Sequence, residues 1–465
     1  MTRFRYITAG TLAVSAILSA IAPTAVFAGG KSLPQNNGVK SEMVQCGNKQ
    51  KPKNVIFMIG DGMGPSYTSA YRYMEDKDET HELDPVAFDH YLLGAQRTIA
   101  DDDHENITDS AAAATAMSAG TKTYNNAIAV DKQKKEVKTV LEQAKKVGKA
   151  TGLVATSEIT HATPAAFGAH DISRKNMPQI ADDYYDEMIN GEHKVDIMLG
   201  GGKEYFERKD RNLVKAFQKD GYHYVTDKKS LVKATQSNNQ QILGLFSQGG
   251  MPKMIDRDEN MPSLKDMTET ALTKLKSDKD GFFLMIEGSQ IDWAGHANDI
   301  TGAMSEMRDF DLAFQSAINF AKKDCNTLVI ATADHSTGGM SMGRGGEYNF
   351  LVDPIKQMKH TPEYLRAELL KKDANIDKII TENIGFELEA TEIKGIKEAV
   401  AKRDAGKIED AIEATVNKRS YTGWTTDGHT GEDVNVYGYG PGAQAWRGNM
   451  DNTDNAKRIF EYLKK

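Results

Sequence analysis

Short apolar runs rich in β-branched residues recur along the chain, and stretches with helical spacing of apolar residues separate some of them. This alternation predicts a mainly parallel sheet with helices on both faces, because parallel strands need long crossover connections. We therefore expect an α/β fold, a three-layer α/β/α sandwich with a mainly parallel central sheet. The runs are Val55–Ile59, Gly152–Thr156, Val195–Leu199, Phe282–Ile286 and Leu328–Thr332.

Helices are predicted between these runs by apolar spacing and by residues typical of helix ends. Apolar residues share one helical face from Val137 to Val147, and Gly148 is suited to the C-cap. A further helix follows Ser263, which with Asp266 provides a cap at its N-terminus. Each of these helices would cover one face of the sheet.

The chain changes character between about residues 345 and 420. This segment is rich in Lys and Glu, and isoleucines recur in it at helical spacing. Thr361-Pro362 is typical of a helix start, and the next strong strand-like run is Val434–Tyr437. We predict a helical insertion at about 345–420 within a main domain of residues 29–465. The insertion either contacts a partner or forms a solvated flap.

The N-terminal residues 1–28 are predicted to be a signal peptide. Arg3 and Arg5 precede an apolar stretch that ends near Ala22, and the small residue Ala28 marks a cleavage site. A membrane anchor is the alternative, although the stretch is short and contains Gly10. Cleavage would leave a mature form without a membrane span, located in the periplasm or secreted.

Charge and cysteine content limit the class of binding partner and the redox state of the compartment in which the protein works. The formal net charge of −8, without a basic cluster, argues against a nucleic-acid partner. The two cysteines, Cys46 and Cys325, each lie shortly before a strand-like run. An oxidising compartment would permit a disulfide between them if those strands are parallel neighbours. Two unpaired buried thiols are the alternative.

Side chains of the types that bind metal ions follow four of the apolar runs. In an open parallel sheet, ligands bind beyond the carboxyl ends of the strands, so these stretches would meet at one edge. Each residue alone has an ordinary explanation, such as a turn Asp or a hydrogen-bonded His. The residues are Asp61; His161 and Thr163; Glu287, Asp292 and His296; and Asp334 and His335.

These residue types divide into three possible metal sets. Asp with neutral His suits zinc, whereas carboxylate with hydroxyl suits magnesium. In a helical turn, two residues four positions apart face the same way and can hold one cation. The sets are Asp292, His296 and His429 for one zinc ion; Asp61, Asp334 and His335 for a second; and Thr163, Glu287 and a shared Asp61 for a harder third ion.

Ser110 is the candidate nucleophile. It precedes a run of alanines that favours a helix, so it would lie at or near a helix N-terminus, which stabilises an alkoxide or a phosphate. A nearby zinc ion would lower the pKa of its hydroxyl. The alternative is that Asp109 or Ser110 only caps the helix. Arg174 would either bind two phosphate oxygens or form a surface salt bridge.

Six ordered motifs connect these candidates. They are Gly60-Asp61-Gly62-Met63-Gly64; Asp109-Ser110-Ala111; Ala162-Thr163-Pro164-Ala165-Ala166 with Ser173-Arg174-Lys175; Glu287-Gly288 followed by Asp292 and His296; Asp334-His335-Ser336-Thr337-Gly338-Gly339; and Gly428-His429-Thr430-Gly431. With these motifs the chain resembles the alkaline phosphatases over nearly its whole mature length.

The resemblance implies metal-dependent hydrolysis of phosphate monoesters to alcohol and inorganic phosphate, with a role in phosphate scavenging. It implies a phosphoserine intermediate at Ser110 and a phosphate clamp at Arg174. It assigns two Zn²⁺ and one Mg²⁺ to the three sets above. It also implies a homodimer and makes the segment 345–420 the counterpart of the family's variable crown region.

Two positions depart from the best-studied bacterial pattern. His161 stands where an aspartate near the magnesium is common, and is a candidate for the third metal or its surroundings. Trp293 stands where a lysine can hold phosphate through water, and is a candidate for substrate contact. The combination resembles that of some marine bacterial members, and it leaves the identity of the third metal open.

Two other functions compete with this interpretation. Within the superfamily, the rivals are a phosphodiesterase, a phosphonate hydrolase or a sulfatase. Diesterases often use Thr as nucleophile and lack the carboxylate matched by Glu287, and the sulfatase signature is absent from the sequence. An exported protein that only binds metal or phosphate would explain the zinc ligands, but it would not explain Ser110 together with Arg174.

Overall fold

The structure is a computed structural model that describes residues 51–77, 82–237 and 241–464. The predicted signal peptide and Cys46 lie outside these ranges. The strands are β1 (Asn54–Gly60), β2 (Leu92–Arg97), β3 (Ala150–Glu158), β4 (Met188–Ile189), β5 (Glu192–His193), β6 (Ile197–Gly201), β7 (His223–Val225), β8 (Ile242–Leu245), β9 (Phe282–Gly288), β10 (Thr327–Ala333), β11 (Ser336–Thr337), β12 (Ser341–Met342), β13 (Thr422–Gly423), β14 (His429–Thr430), β15 (Val434–Tyr439) and β16 (Gly448–Asp451).

Helices occupy most of the chain between these strands. They are α1 (Pro65–Glu75), α2 (Ser110–Ala119), α3 (Val140–Lys146), α4 (Ala162–Gly168), α5 (Met177–Asp186), α6 (Lys203–Phe206), α7 (Leu213–Lys219), α8 (Lys228–Ala234), α9 (Leu264–Leu275), α10 (Gln290–His296), α11 (Ile300–Asp324), α12 (Asp353–Lys356), α13 (Pro362–Leu369), α14 (Ile376–Asn383), α15 (Ala390–Ala401), α16 (Ala405–Ser420) and α17 (Thr453–Tyr462). Short 3₁₀ helices span Ala87–Tyr91, Met254–Asp256 and Ala443–Trp446.

Ten strands form the central sheet, in the order β16-β2-β15-β10-β1-β9-β3-β6-β8-β7. The five predicted apolar runs overlap β10, β1, β9, β3 and β6, which are consecutive neighbours in this order. Neighbouring strands are parallel, except that β15 runs antiparallel to both β10 and β2. The predicted mainly parallel sheet is therefore confirmed.

Two apolar cores lie on opposite faces of the sheet. Ile56 and Met58 of β1 belong to the core that contains residues of α9 and α11. Phe57 and Ile59 belong to the other core, with residues of α2, α3 and α4. Successive side chains of a strand point to opposite faces, so β1 is buried from both sides. The three-layer α/β/α sandwich is confirmed.

Predicted helix ends also occur in the structure. Ser263 accepts a hydrogen bond from the backbone N–H of Asp266 at the start of α9, and the Asp266 side chain completes a capping box. Thr361 caps α13. The segment predicted as an insertion contains α12 to α16, and its residues Ile380 and Ile396 join the core on the α11 side of the sheet. Its assignment as an insertion stays a prediction.

Strands β1 and β10, which follow the two cysteines, are parallel neighbours with Asn54 beside Thr327. The pairing of Cys46 with Cys325 stays a prediction, because Cys46 is not among the described residues. A search of the described helices finds none with the length and hydropathy needed to cross a bilayer.

Candidate active site

The carboxyl ends of β1, β3, β9 and β10 lie side by side, and the predicted ligands extend from them. Three groups of His, Asp and Glu side chains have ligand atoms within 4.8 Å of one another at this edge. Two groups have the same members as the predicted zinc sets, and the third joins His161 to Asp61 and Glu287. The groups are Asp292, His296 and His429; Asp61, Asp334 and His335; and Asp61, His161 and Glu287.

The first group converges around two imidazole nitrogens. Nε2 of His296 lies 3.1 Å from Nε2 of His429 and 3.4 Å from a carboxylate oxygen of Asp292. Nδ1 of each ring contacts a backbone carbonyl, at Asp427 and at Thr108, so each Nδ1 carries a hydrogen. Burial opposes protonation of His296, but the Asp292 carboxylate outweighs it and raises the pKa of His296 to about 9. A proton or a cation therefore belongs between these Nε2 atoms and Asp292.

The second group is fully buried. His335 Nε2 lies 3.4 Å from an Asp61 oxygen and 3.2 Å from an Asp334 oxygen. Both carboxylate oxygens of Asp61 are without a hydrogen-bond donor among the described residues. Burial, together with the charge of Asp334, raises the pKa of Asp61 well above its ordinary value. Burial likewise raises the pKa of Asp334 to about 7. These carboxylates need a cation to stay ionised.

The third group offers carboxylate oxygens as well as the His161 ring, and the hydroxyl of Thr163 lies beside Glu287. Oε2 of Glu287 accepts a hydrogen bond from Ser157, at 3.3 Å. Oε1 of Glu287 and the hydroxyl of Thr163 are buried and have no partner in the part of the chain that the structure describes. Burial raises the pKa of Glu287 to about 7. One carboxylate oxygen and a hydroxyl without partners match the oxygen ligands of a hard cation.

Ser110 is the first residue of α2, and its hydroxyl lies 3.2 Å from Nε2 of His335. The helix cap is Asp109, which accepts a hydrogen bond of 2.9 Å from the backbone N–H of Ala112. The side chain of Ser110 is therefore not needed as a cap, and it faces the second group. The family model for alkaline phosphatase matches residues 52–465 of the chain.

The chain belongs to the alkaline phosphatase family. It is 58% identical to alkaline phosphatase 3 of Bacillus subtilis over 451 residues, covering 96% of each protein. It is 54% identical to alkaline phosphatase 4 of the same organism over 419 residues, covering 90% of each. A cold-active alkaline phosphatase from a psychrophilic Shewanella species has 39% identity and a TM-score of 0.82, over 89% of this chain and all of that one. The chain is thus a phosphomonoesterase of a metal-dependent family.

In this alkaline phosphatase, Arg174 is held by two side chains, and one of them belongs to Asp109, the residue before Ser110. Its guanidinium donates to an Asp109 carboxylate oxygen and to Nε2 of His161, at 3.0 Å in each case. Burial and the charge of Arg174 lower the pKa of His161 to about 3, so His161 is a neutral acceptor. The Trp293 ring meets the His161 ring edge to face, with 5.6 Å between centroids.

Some positioning residues are not found by the sequence reasoning. The hydroxyl of Thr337 donates to Asp292 and lies 3.3 Å from Nδ1 of His335, so it connects the first two groups. Ser157 contacts Glu287, as described above. A cavity over His296 and His429 is lined by residues 102–108, which the sequence pattern does not indicate. Thr337 lies in the same sequence motif as His335, and this shared motif is the signal by which Thr337 could have been found.

Proposed function

We propose that this alkaline phosphatase hydrolyses phosphate monoesters through a phosphoserine formed on Ser110. The observation that carries the proposal is the contact between the Ser110 hydroxyl and His335, beside buried carboxylates that lack donors. A serine without an adjacent base is a poor nucleophile, so its surroundings must activate it.

The three groups would hold the cations of the family. Asp292, His296 and His429 would hold one Zn²⁺; Asp61, Asp334 and His335 a second; and Asp61, Thr163 and Glu287 a Mg²⁺, with His161 beside it. Unpartnered buried oxygens and converging imidazole nitrogens support this assignment. Bound cations lower the pKa of the serine hydroxyl and neutralise charge on the phosphate oxygens.

The proposed reaction consists of two successive displacements at phosphorus. The Ser110 oxygen loses its proton and attacks phosphorus, while the bond from phosphorus to the alcohol oxygen breaks and that oxygen gains a proton. Water next attacks the phosphoserine, and the bond to Ser110 breaks to release inorganic phosphate. Arg174, oriented by Asp109 and His161, would hold the oxygens that do not react. Backbone N–H groups at the start of α2 would also attract these negatively charged oxygens.

The third cation is proposed to be Mg²⁺ because Thr163 and Glu287 offer oxygen ligands. A structure of a His-to-Asp variant of the alkaline phosphatase from the Antarctic bacterium TAB5 has Mg bound in its M3 site, and it is 30% identical to this chain with a TM-score of 0.65. We propose that His161 is a neighbour of this site rather than a strong ligand, since its Nε2 accepts from Arg174.

Export, assembly and physiological role are also proposals. The sequence of residues 1–28 supports export to the periplasm or the medium, with cleavage near Ala28. There the enzyme would release phosphate for uptake, and we propose that it works as a homodimer. Light scattering of the purified mature protein measures the subunit number, and N-terminal sequencing of exported protein locates the cleavage site.

The test of the mechanism is Ser110→Ala. We expect kcat for p-nitrophenyl phosphate to fall by about 10³-fold or more, because the variant lacks the oxygen that attacks phosphorus. Acid quenching of wild type with ³²P-labelled substrate should trap one labelled peptide, which contains Ser110. Near-normal turnover in the variant, with no label trapped in wild type, would exclude the covalent mechanism.

A further inference from the structure

A fourth cluster of ligand-type side chains lies near the C-terminal end of helix α4, whereas Thr163 lies near the N-terminal end of the same helix. Ligand atoms of Glu136, His170 and Glu187 lie within 4.8 Å of one another. Glu136 precedes α3, His170 follows α4, and Glu187 caps the C-terminus of α5. We propose that this cluster is a structural site for a divalent cation, with Zn²⁺ as its preferred ion, separate from the three groups of the active site.

The key observation is the position of the two ring nitrogens of His170, whose side chain is 6% exposed. Its Nε2 lies 3.2 Å from the carbonyl oxygen of Val137. A carbonyl only accepts, so Nε2 carries a hydrogen in this contact, and Nδ1 is the ring nitrogen open to a metal ion. Nδ1 is buried and has no hydrogen-bond partner among residues 51–77, 82–237 and 241–464. A histidine that donates to a carbonyl through one nitrogen and offers the other is typical of a metal ligand.

Carboxylates surround Nδ1. Glu142 Oε1 lies 3.7 Å from Nδ1, and Glu187 Oε2 lies 3.9 Å from it. Both distances exceed that of a hydrogen bond, so Nδ1 forms none with either carboxylate. An ion beside Nδ1 would lie near both of these carboxylates.

The local charge also favours a cation. The ammonium of Lys194 is fully buried and contacts Glu187 Oε2 at 2.7 Å and Asp183 at 3.4 Å, so it neutralises part of the negative charge here. Asp183 also accepts a hydrogen bond of 2.7 Å from the backbone N–H of His170. Glu136 and Glu142 form no salt bridge to Lys or Arg among the described side chains. The cluster therefore has more carboxylates than cationic partners.

The ligand types select the ion. One imidazole nitrogen with two carboxylates suits Zn²⁺, which accepts a water as a fourth ligand, whereas Ca²⁺ and Mg²⁺ prefer oxygen alone. Ligands of one zinc ion lie closer together than the present spread, at about 3.3–3.5 Å in a tetrahedron. Glu136 is exposed, so its side chain can rotate to close the distance, and solvent gives the ion a path of entry.

A cation here would join three segments near Arg174, which follows His170 by four residues. The backbone N–H of Arg174 donates to Asn126, and that of Asn126 donates to Asp109. The site would thus stabilise the fold around the phosphate clamp without touching substrate. The cation site would therefore change the stability and the metal content of the protein.

The experiment compares wild-type holoenzyme with Glu136→Gln and His170→Gln, and with His193→Gln as a matched control. His193 is also buried, at 5% exposure, and pairs with Asp220 outside the cluster. After gel filtration in micromolar ZnCl₂, zinc content is measured by mass spectrometry. We expect wild type and the His193→Gln control to retain about one more zinc ion per chain than the two cluster variants.

Thermal melting gives an independent measurement. Added zinc should raise the Tm by about 3 °C in wild type and in the control, and it should not do so in the cluster variants. Glu136 is exposed, so Glu136→Gln tests the site even if His170→Gln does not fold. Equal zinc content and equal Tm response in wild type and Glu136→Gln would overturn the proposal, as would an equal loss of zinc in the control. Neither measurement depends on turnover, so its outcome is separate from that of Ser110→Ala.

Discussion

The Ser110 hydroxyl lies 3.2 Å from Nε2 of His335, the same ring nitrogen that lies 3.2 Å from Asp334. The proposed nucleophile and the proposed metal ligands therefore share one contact. Substituting Ser110 removes an atom beside the second group, whereas substituting His335 removes a ligand and changes the surroundings of Ser110. For this reason, metal content has to be measured with every kinetic constant.

The two substitutions Arg174→Lys and Arg174→Ala should lower the activity to different extents. Arg174→Lys keeps the charge but loses the fork that Asp109 and His161 orient, so kcat/KM for p-nitrophenyl phosphate should fall about 10-fold. Arg174→Ala also loses the charge, and the fall should reach about 10²-fold or more. Arg419→Ala, which removes a part-buried ion pair with Glu392, serves as the control and should leave kcat/KM unchanged. A value for Arg174→Lys equal to that of wild type would contradict bidentate binding, and equal values for the Lys and Ala variants would contradict a separate contribution of the charge.

The enzyme should strongly prefer monoesters to diesters. A monoester dianion places one more negative oxygen against Arg174 and the N–H groups of α2 than a diester does. We expect the initial rate on p-nitrophenyl phosphate to exceed that on the bis-ester by about 10²-fold or more. A larger rate on the bis-ester would instead assign the protein to the phosphodiesterases of the superfamily.

Thr337→Val tests the connection between the first two groups. The valine keeps the shape of Thr337 but loses the hydroxyl that contacts Asp292 and His335. Loss of a residue that orients metal ligands typically weakens metal binding about 10–100-fold, and we expect zinc affinity to fall in that range. Competition with a zinc chelator measures it. Thr268→Val, at a buried threonine in α9, is the matched control, and an equal change there would refute a specific role for Thr337.

Glu287→Gln should change stability in opposite directions with and without metal. In EDTA, burial raises the pKa of Glu287 to about 7, so the folded chain binds a proton that the unfolded chain loses near the ordinary value of 4.5. The free energy of unfolding of wild type therefore falls as pH rises from about 4.5 to 7, and the glutamine variant escapes this loss. At pH 8 the metal-free variant should be more stable by ~3 kcal/mol.

With metal bound, the order should reverse because the variant lacks a charged ligand. Urea unfolding at pH 5 and pH 8, with EDTA or with Zn²⁺ and Mg²⁺, measures all four cases. Titrating groups that do not interact with Glu287 cancel in the difference, whereas Asp61 and Asp334 contribute through their interaction with it. If the difference in EDTA is the same at pH 5 and at pH 8, Glu287 is not the buried acid that we describe.

The inner part of the sheet was predictable because β1, β9 and β10 are buried along their whole length. Burial on both faces produces continuous apolar runs, which are visible in the sequence. Strands such as β7 and β16 were not predicted, since they are short and partly exposed. Val434–Tyr437 was visible as a strand, but its antiparallel direction depends on how the chain returns from α16.

The residue types of the candidate site were predictable from their positions after strands, but the contacts that orient them were not. Asp109 and Arg174 are separated by 65 positions, and Thr337 and Asp292 by 45. Such hydroxyl and carboxylate contacts leave no periodic pattern in the sequence. A threonine that orients a ligand looks the same, in sequence, as one that packs in a strand.

Asp61 belongs to both the second and the third group, so one carboxylate serves two proposed cations. Any ion held at one group changes the negative charge that Asp61 offers to the other. Loading of the two positions is then a linked equilibrium, in which the affinity of each depends on the occupancy of its neighbour. Titration of the metal-free enzyme with one ion should accordingly give a curve whose midpoint shifts with the concentration of the other.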